Sequence, residues 1–427
     1  MNRYIWFLLL VCNIGCTILS KESRFAHTEG TRFIVNGEPY SFMGANMWYA
    51  AILASEGEGG DTLRLFKELD LLKGLGVDNI RVLVGAEGEA GVHSKIEPVL
   101  QKTPGVYNDT LLRGLDKLMV ELGKREMMAV LYLGNSWEWS GGYSQYLMWS
   151  GEGRAPIPNI DGWHPFRDYV AGFVACDSCK AMFSDHVKFI VSRVNSITGR
   201  PYSEDAALFS WQIANEPRAF SDEGKEAFYN WLTDVAALIK SIDKNHMVST
   251  GSEGLYGCEV DIDLYKRIHS DENIDYLNMH IWPYNWGWAS KDSIEEKLAN
   301  SITETETYMK IHIEIAENLR KPLVLEEFGY PRDGFSFSRN STVRARDAYY
   351  KFVIDRIKKS SSEGGALVGG NFWGWGGFAG SVTGSYNWKK GDPYTGDPAQ
   401  EPQGLYSVFV SDSSTLQVIR QFGHTSF

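Results

Sequence analysis

Two apolar runs in this chain end on acid. "LFSWQIANEPR" (208–218) delivers Asn215, Glu216 and Arg218 where Pro217 removes a backbone donor and closes a strand ladder. "PLVLEEFGY" (322–330) delivers Glu326 and Glu327. Other apolar runs carry Arg81, His280, Trp282 and Trp373 near their ends. A lone glutamate at a strand end is ordinarily solvated or ion-paired. Two of them, with an arginine, an amide and an imidazole between, are costly to bury unless each group is paired. Such a cluster points to a built pocket. Paired carboxylates beside indole suit cleavage of a glycosidic bond, one protonating the leaving oxygen while the other attacks the anomeric carbon or activates water. Alternation along a strand lets only one of Glu326 and Glu327 face such a pocket, and composition does not say which.

What must position these groups is a set of eight apolar strands. They are expected at 42–48, 79–84, 127–135, 208–216, 246–254, 274–282, 322–330 and 367–375. Amphipathic stretches separate them. "DTLRLFKELDLLKGLG" opens on Asp61, a capping residue, and closes on glycine, and 109–125, 222–243 and 342–359 behave alike. Eight strands, each followed by a helix or a long loop, predict an α/β fold, a (β/α)8 TIM barrel with function at the carboxyl ends of its strands. A doubly wound sheet is the rival, but no Gly-rich phosphate fingerprint follows the first strand. Asn36-Gly37 marks a hairpin ahead of the barrel. Long insertions rich in Gly, Trp and Tyr follow the third strand (136–180) and the eighth (376–405). Without repeats or a linker, residues 24–427 read as a single catalytic domain.

The net charge of −12 argues against nucleic acid or an anionic membrane as partner. Aromatics reach 13%, with 14 Trp, enough to fill a core and still leave surfaces on which sugar rings could stack. Residues 1–20 combine Arg3, an apolar run and a polar end, the pattern of a secretory signal. Cys16 stands in a lipobox-like setting, so an exported protein is expected, either secreted, periplasmic or lipid-anchored at the cell surface. "CDSC" (Cys176, Cys179) has redox-motif spacing but reads as a local disulfide in a loop-like region. One CxxC and scattered histidines do not make a zinc site. No metal and no cofactor are expected.

The stretches "WQIANEPR", "LEEFG", "IRV" and "HIWPYNW" resemble glycoside hydrolase family 5, and within it the endo-β-1,4-mannanases of subfamily 7. "LGNSWEWSGGYSQYLMW" and "SRVNSITGRPYSEDAALFSWQIANEPR" resemble further mannanase segments, so the likeness spans nearly the whole chain. It implies a retaining enzyme that cleaves β-1,4-mannosidic linkages in mannan, glucomannan or galactomannan; separately, a monomer is expected. Glu216 would be the acid/base and Glu327 the nucleophile, with carboxyl groups roughly 5–5.5 Å apart. Glu326 would point away. Arg81 and Asn215 would contact the nucleophile and the 2-hydroxyl, His280 would line the catalytic subsite, and Trp373 would stack beneath the sugar. Arg218 would sit on the leaving-group side, with Trp48, Asn46 and Trp137 on the opposite side of the cleft or in the core. Trp282 departs from the family's tyrosine, so its indole, or Tyr284, would have to supply the donor to Glu327. Burial near tryptophan and opposite Glu327 is expected to raise the pKa of Glu216, while Glu327 ionises readily. The rival readings are a β-1,4-glucanase or other family 5 glycosidase, and a surface glycan-binding protein without turnover.

Overall fold

The computed structural model describes residues 24–380 and 386–423. The expected signal and Cys16 lie outside them. Eight parallel strands form the centre: β1 (Phe42–Asn46), β2 (Asn79–Leu83), β3 (Met128–Tyr132), β4 (Leu208–Gln212), β5 (Met247–Ser249), β6 (Leu277–Ile281), β7 (Leu323–Phe328) and β8 (Leu367–Phe372). They pair in the order β5-β4-β3-β2-β1-β8-β7-β6. The two outer strands meet through Asp275 N–H to Val248 O (2.9 Å) and His280 N–H to Glu253 O (3.2 Å), which brings the sheet round into a barrel. The strands are buried almost throughout because helices cover one face and the barrel interior the other, hence the continuous apolar runs in the sequence.

A helix follows each strand: α1 (Thr62–Gly74), α2 (Asp109–Lys124), α3 (Asp177–Val191), α4 (Lys225–Ile242), α5 (Ile262–His269), α6 (Leu298–Leu319), α7 (Arg344–Ser362) and α8 (Ser413–Gly423). Asp61 caps α1 by accepting from the Arg64 N–H. Helix α2 is capped one residue earlier than its sequence suggests, by Asn108, whose Oδ1 takes both the Thr110 and Leu111 N–H groups. The Asn36-Gly37 turn joins Arg32–Val35 to Glu38–Tyr40, both turn residues having positive φ. This hairpin closes the amino-terminal end of the barrel, where Phe33 packs on Phe42, Phe209 and Tyr276.

The insertion after β3 is largely helical, with Gly142–Trp149, Pro158–Asp161 and Trp163–Val170. "CDSC" is not in a loop. Cys176 caps α3, Cys179 lies in its first turn, and the two form a disulfide. In the insertion after β8, Trp375–Gly377 leaves the barrel to pair with Val408–Phe409. The eighth barrel strand therefore stops at Phe372, short of its predicted end.

Candidate active site

The site begins with a break in regular pairing. β6 and β7 shift register between Met279 and His280, and β7 and β8 shift between Leu325 and Phe328. In a regular ladder Glu326 and Glu327 would face opposite sides, but beside a bulge the alternation fails. Both side chains enter the barrel. Glu327 reaches Arg81 and His280, while Glu326 lies among Gln212, Tyr276 and Arg81. The expectation that Glu326 points away is thus corrected: it occupies the barrel interior and accepts from Gln212 Nε2 at 2.6 Å.

Arg81, fully buried on β2, organises this level. Its Nη1 donates to Glu327 and to Asn46 Oδ1 (3.1 Å), Nη2 to Asn215 Oδ1 (2.9 Å) and Nε to Gln212 Oε1 (2.7 Å). Its guanidinium also lies over the Tyr132 ring. Asn215 therefore contacts Arg81, and through Nδ2 Asn135 (3.2 Å), rather than Glu327. Asn46 is not on the far wall of the cleft. It stands behind Arg81, holding the Glu326 carbonyl at 2.8 Å.

Glu216 follows the end of β4 in a left-handed backbone conformation, φ 49°. A non-glycine residue held there costs of order 1–3 kcal/mol, and the Glu216 N–H bond to Gly251 O and the Ser136 Oγ bond to Glu216 O hold it. The result turns the carboxylate into the barrel mouth. Three N–H groups converge on it: Trp137 Nε1 (2.5 Å), His280 Nδ1 (2.8 Å) and Trp282 Nε1 (3.2 Å). The neighbouring tryptophans thus offer donors, not apolar faces. Trp282 serves Glu216 and not Glu327, and Tyr284 packs on Phe335 instead, so neither supplies the expected donor to Glu327.

His280 lies between the carboxylates, its Nδ1 also 3.2 Å from Glu327 Oε2. Burial alone would depress its pKa, but Glu327 and Glu216 outweigh that and push it up to about 9. Burial alone would likewise raise Glu327, yet His280 and Arg81 hold its carboxyl below the usual range. Oxygens of Glu216 and Glu327 and a nitrogen of His280 all fall within 4.8 Å of one another. This trio has the composition of a metal site; here its atoms bond to one another and to Arg81, Trp137 and Trp282.

A cleft of about 410 Å³ opens above, lined by Glu216, Glu327, Asn215, Trp137, Trp282, Trp373 and Arg218. Trp373 stands edge-on to Trp282 at 5.9 Å. Arg218 donates to Glu253 Oε2 at 2.5 Å and lies over the Trp137 ring. Trp48 does not reach the cleft: it packs against Trp139, Tyr49 and Tyr394 and donates to Gly396 O. Indole at that position fills core between β1 and the last insertion. The cleft also includes residues that the sequence reading missed, among them Glu253, Trp139, Trp163, Trp286 and Glu401. Glu253 ends the fifth apolar run and was open to the same strand-end rule. Nothing local distinguishes the insertion residues from core aromatics.

The profile described as GH family 5 beta-mannosidase-like matches residues 23–426. Mannan endo-1,4-beta-mannosidase 1 of Oryza sativa subsp. japonica is 30% identical over 82% of this chain and 78% of its own length. The glycoside hydrolase family 5 mannosidase of Rhizomucor miehei superimposes with a TM-score of 0.84 at 30% identity, covering 94% of this chain and 97% of that one. The endo-beta-1,4-mannanase of Thermotoga petrophila shares the fold, with a TM-score of 0.65 at 24% identity, covering 91% of this chain and 77% of that one. A barrel with two carboxylates facing each other across its mouth, and a family profile that runs its length, place this chain in glycoside hydrolase family 5.

Proposed function

We propose that this protein hydrolyses β-1,4-mannosidic linkages with retention of configuration, using Glu216 as acid/base and Glu327 as nucleophile. The observation that carries the mechanism is the close approach of these carboxylates, with oxygens within 4.8 Å. Retaining glycosidases hold their carboxyl groups about 5–5.5 Å apart, whereas inverting ones need about 6.5–9.5 Å to admit a water. The choice of mannose as substrate is supported by the relatives, a mannan endo-1,4-beta-mannosidase and a family 5 mannosidase among them.

In the first step an oxygen of Glu327 forms a bond to the anomeric carbon. The bond from that carbon to the glycosidic oxygen breaks, and Glu216 gives its proton to the departing oxygen. Arg81 and His280 keep Glu327 ionised for the attack. Glu216 must carry that proton beforehand, and it regains it from water in the second step, while His280 Nδ1 stays 2.8 Å from its carboxyl. In the second step Glu216 takes a proton from water, the water oxygen attacks the same carbon, and Glu327 leaves. Two inversions restore the original configuration. Trp373 presents indole to the sugar beside the nucleophile. Export is part of the same reading, supported by the leader sequence and by a disulfide of the kind that persists in oxidising compartments.

The test is hydrolysis of mannan and mannohexaose, set against cellulose and xylan, with the anomer of the first product followed by proton NMR. Mannosides should be cleaved and the β-anomer should appear first. Preferential release from cellulose would favour the glucanase reading. No release from any polysaccharide would favour a binding protein, and an α-anomer first would remove the double displacement.

A further inference from the structure

The helical insertion after β3 projects a tryptophan that the reaction described above does not use. Trp163 begins the helix Trp163–Val170, is 50% exposed and lines the cleft. Clustered apolar surface marks a ligand site, and Trp163 does not stand alone on the surface but shares one cleft with Trp137, Trp286 and Trp373. Its orientation is set by two edge-on contacts, with Trp137 (5.8 Å, 88°) and with Phe166 (6.2 Å, 86°). Arg167, four residues on, lies on the same face of the helix and also lines the cleft. Among the described residues, the Arg167 side chain enters no ion pair.

The position of this pair relative to the reacting bond follows from Trp137. Its Nε1 holds Glu216, and Arg218 lies over its ring. Of the three groups that donate to Glu216, His280 also touches Glu327 and Trp282 stands beside Trp373. The departing sugar thus lies on the remaining side, against Trp137 with Arg218 and Trp163 next to it. Continuing round the barrel mouth, β4 contributes Arg218, the end of β5 contributes Glu253, and the loop after β6 contributes Trp286. Trp286 is half-buried and buttressed by Tyr256, Trp288 and Tyr308. The departing side of the cleft therefore has an indole on each flank and the Arg218–Glu253 ion pair between them.

We propose that Trp163 and Arg167, with Trp286 opposite, form a binding platform for the mannosyl units on the leaving-group side of the cut. The axial C–H groups of a pyranose would pack on the Trp163 indole, and the Arg167 guanidinium would donate to ring hydroxyls. This inference rests on the glycosidase reading given above. A sugar seated here before cleavage contributes binding energy that a leaving group without sugar cannot use.

The experiment compares mannotetraose with β-mannosyl fluoride, whose leaving group occupies no sugar subsite, in the wild-type protein and in Trp163→Ala, Trp163→Phe and Ile160→Ala. Ile160 is exposed on the same insertion but is not part of the cleft, so Ile160→Ala should match wild type on both substrates and control for damage to the insertion. In Trp163→Ala the ratio of kcat/KM for mannotetraose over fluoride should fall about tenfold, the scale of losing one apolar contact surface. Most of the loss should appear in KM, and Trp163→Phe should recover part of it. An unchanged ratio overturns the platform, whether both rates hold or both fall together. A wild-type protein that cleaves neither substrate defeats the glycosidase reading itself, and the platform with it.

Discussion

Replacing His280 with glutamine removes a cation from between two carboxylates, and the size of the effect follows from its pKa. The imidazole titrates near 6.5 when unfolded and is pushed up to about 9 in the fold. The folded state therefore holds an extra proton between those values. The stability this contributes is fully present below pH 6.5 and is lost as pH rises through about 9. At about 1.4 kcal/mol per pKa unit, the interval corresponds to about 3 kcal/mol, and full burial means no discount for solvent screening. For a chain of this length, that is a Tm change of roughly 4 °C. Other groups titrate in the same range, and Lys95, pushed down to about 8 by burial, works in the opposite direction. The quantity to read is thus the difference in Tm between wild type and His280→Gln, in which such groups cancel. That difference should shrink by roughly 4 °C between pH 6 and pH 9.5. A difference that stays constant across this window would refute a charged His280 bridging Glu216 and Glu327.

Further outcomes follow from the same site and its support. Glu327→Ala should abolish turnover and also lower stability, by about 3–5 kcal/mol, because buried Arg81 and His280 lose their partner; initial rates per folded molecule separate the two effects. Glu326→Ala should lower stability by about 1–3 kcal/mol, because Gln212 Nε2 loses a buried acceptor. It should still leave measurable turnover, and loss of activity only in Glu326→Ala would reverse the assignment. Phe33→Ala should cost about 3–5 kcal/mol in denaturant unfolding, since Phe33 is fully buried among Phe42, Phe209 and Tyr276. Its rate per folded molecule should not change, because it plugs the end of the barrel away from the cleft.

The alternation of apolar strands and amphipathic helices was legible in the sequence because it is a local, periodic property. Every barrel strand falls inside its predicted stretch, the ends being shorter where chain beyond the ladder turns towards the mouth. The strand-end rule also located Glu216, Glu327, Arg81 and His280, since a buried parallel strand has few places for a polar group except its end. Which of Glu326 and Glu327 meets Arg81 on the cleft side was decided by a register shift, which leaves no trace in composition. The same is true of the indoles. Trp48, Trp137, Trp163 and Trp282 are alike as letters, yet one fills core, two donate to Glu216 and one stands half-exposed over the cleft. Their fates depend on contacts between segments tens to hundreds of residues apart, such as Trp48 with Gly396 or Trp137 with Glu216. Local pattern determined the scaffold and the strand ends at which its acids stand. Only the folded arrangement decided what each acid touches, because hydrogen-bond partners and charge neighbours are set by distance in space and not along the chain.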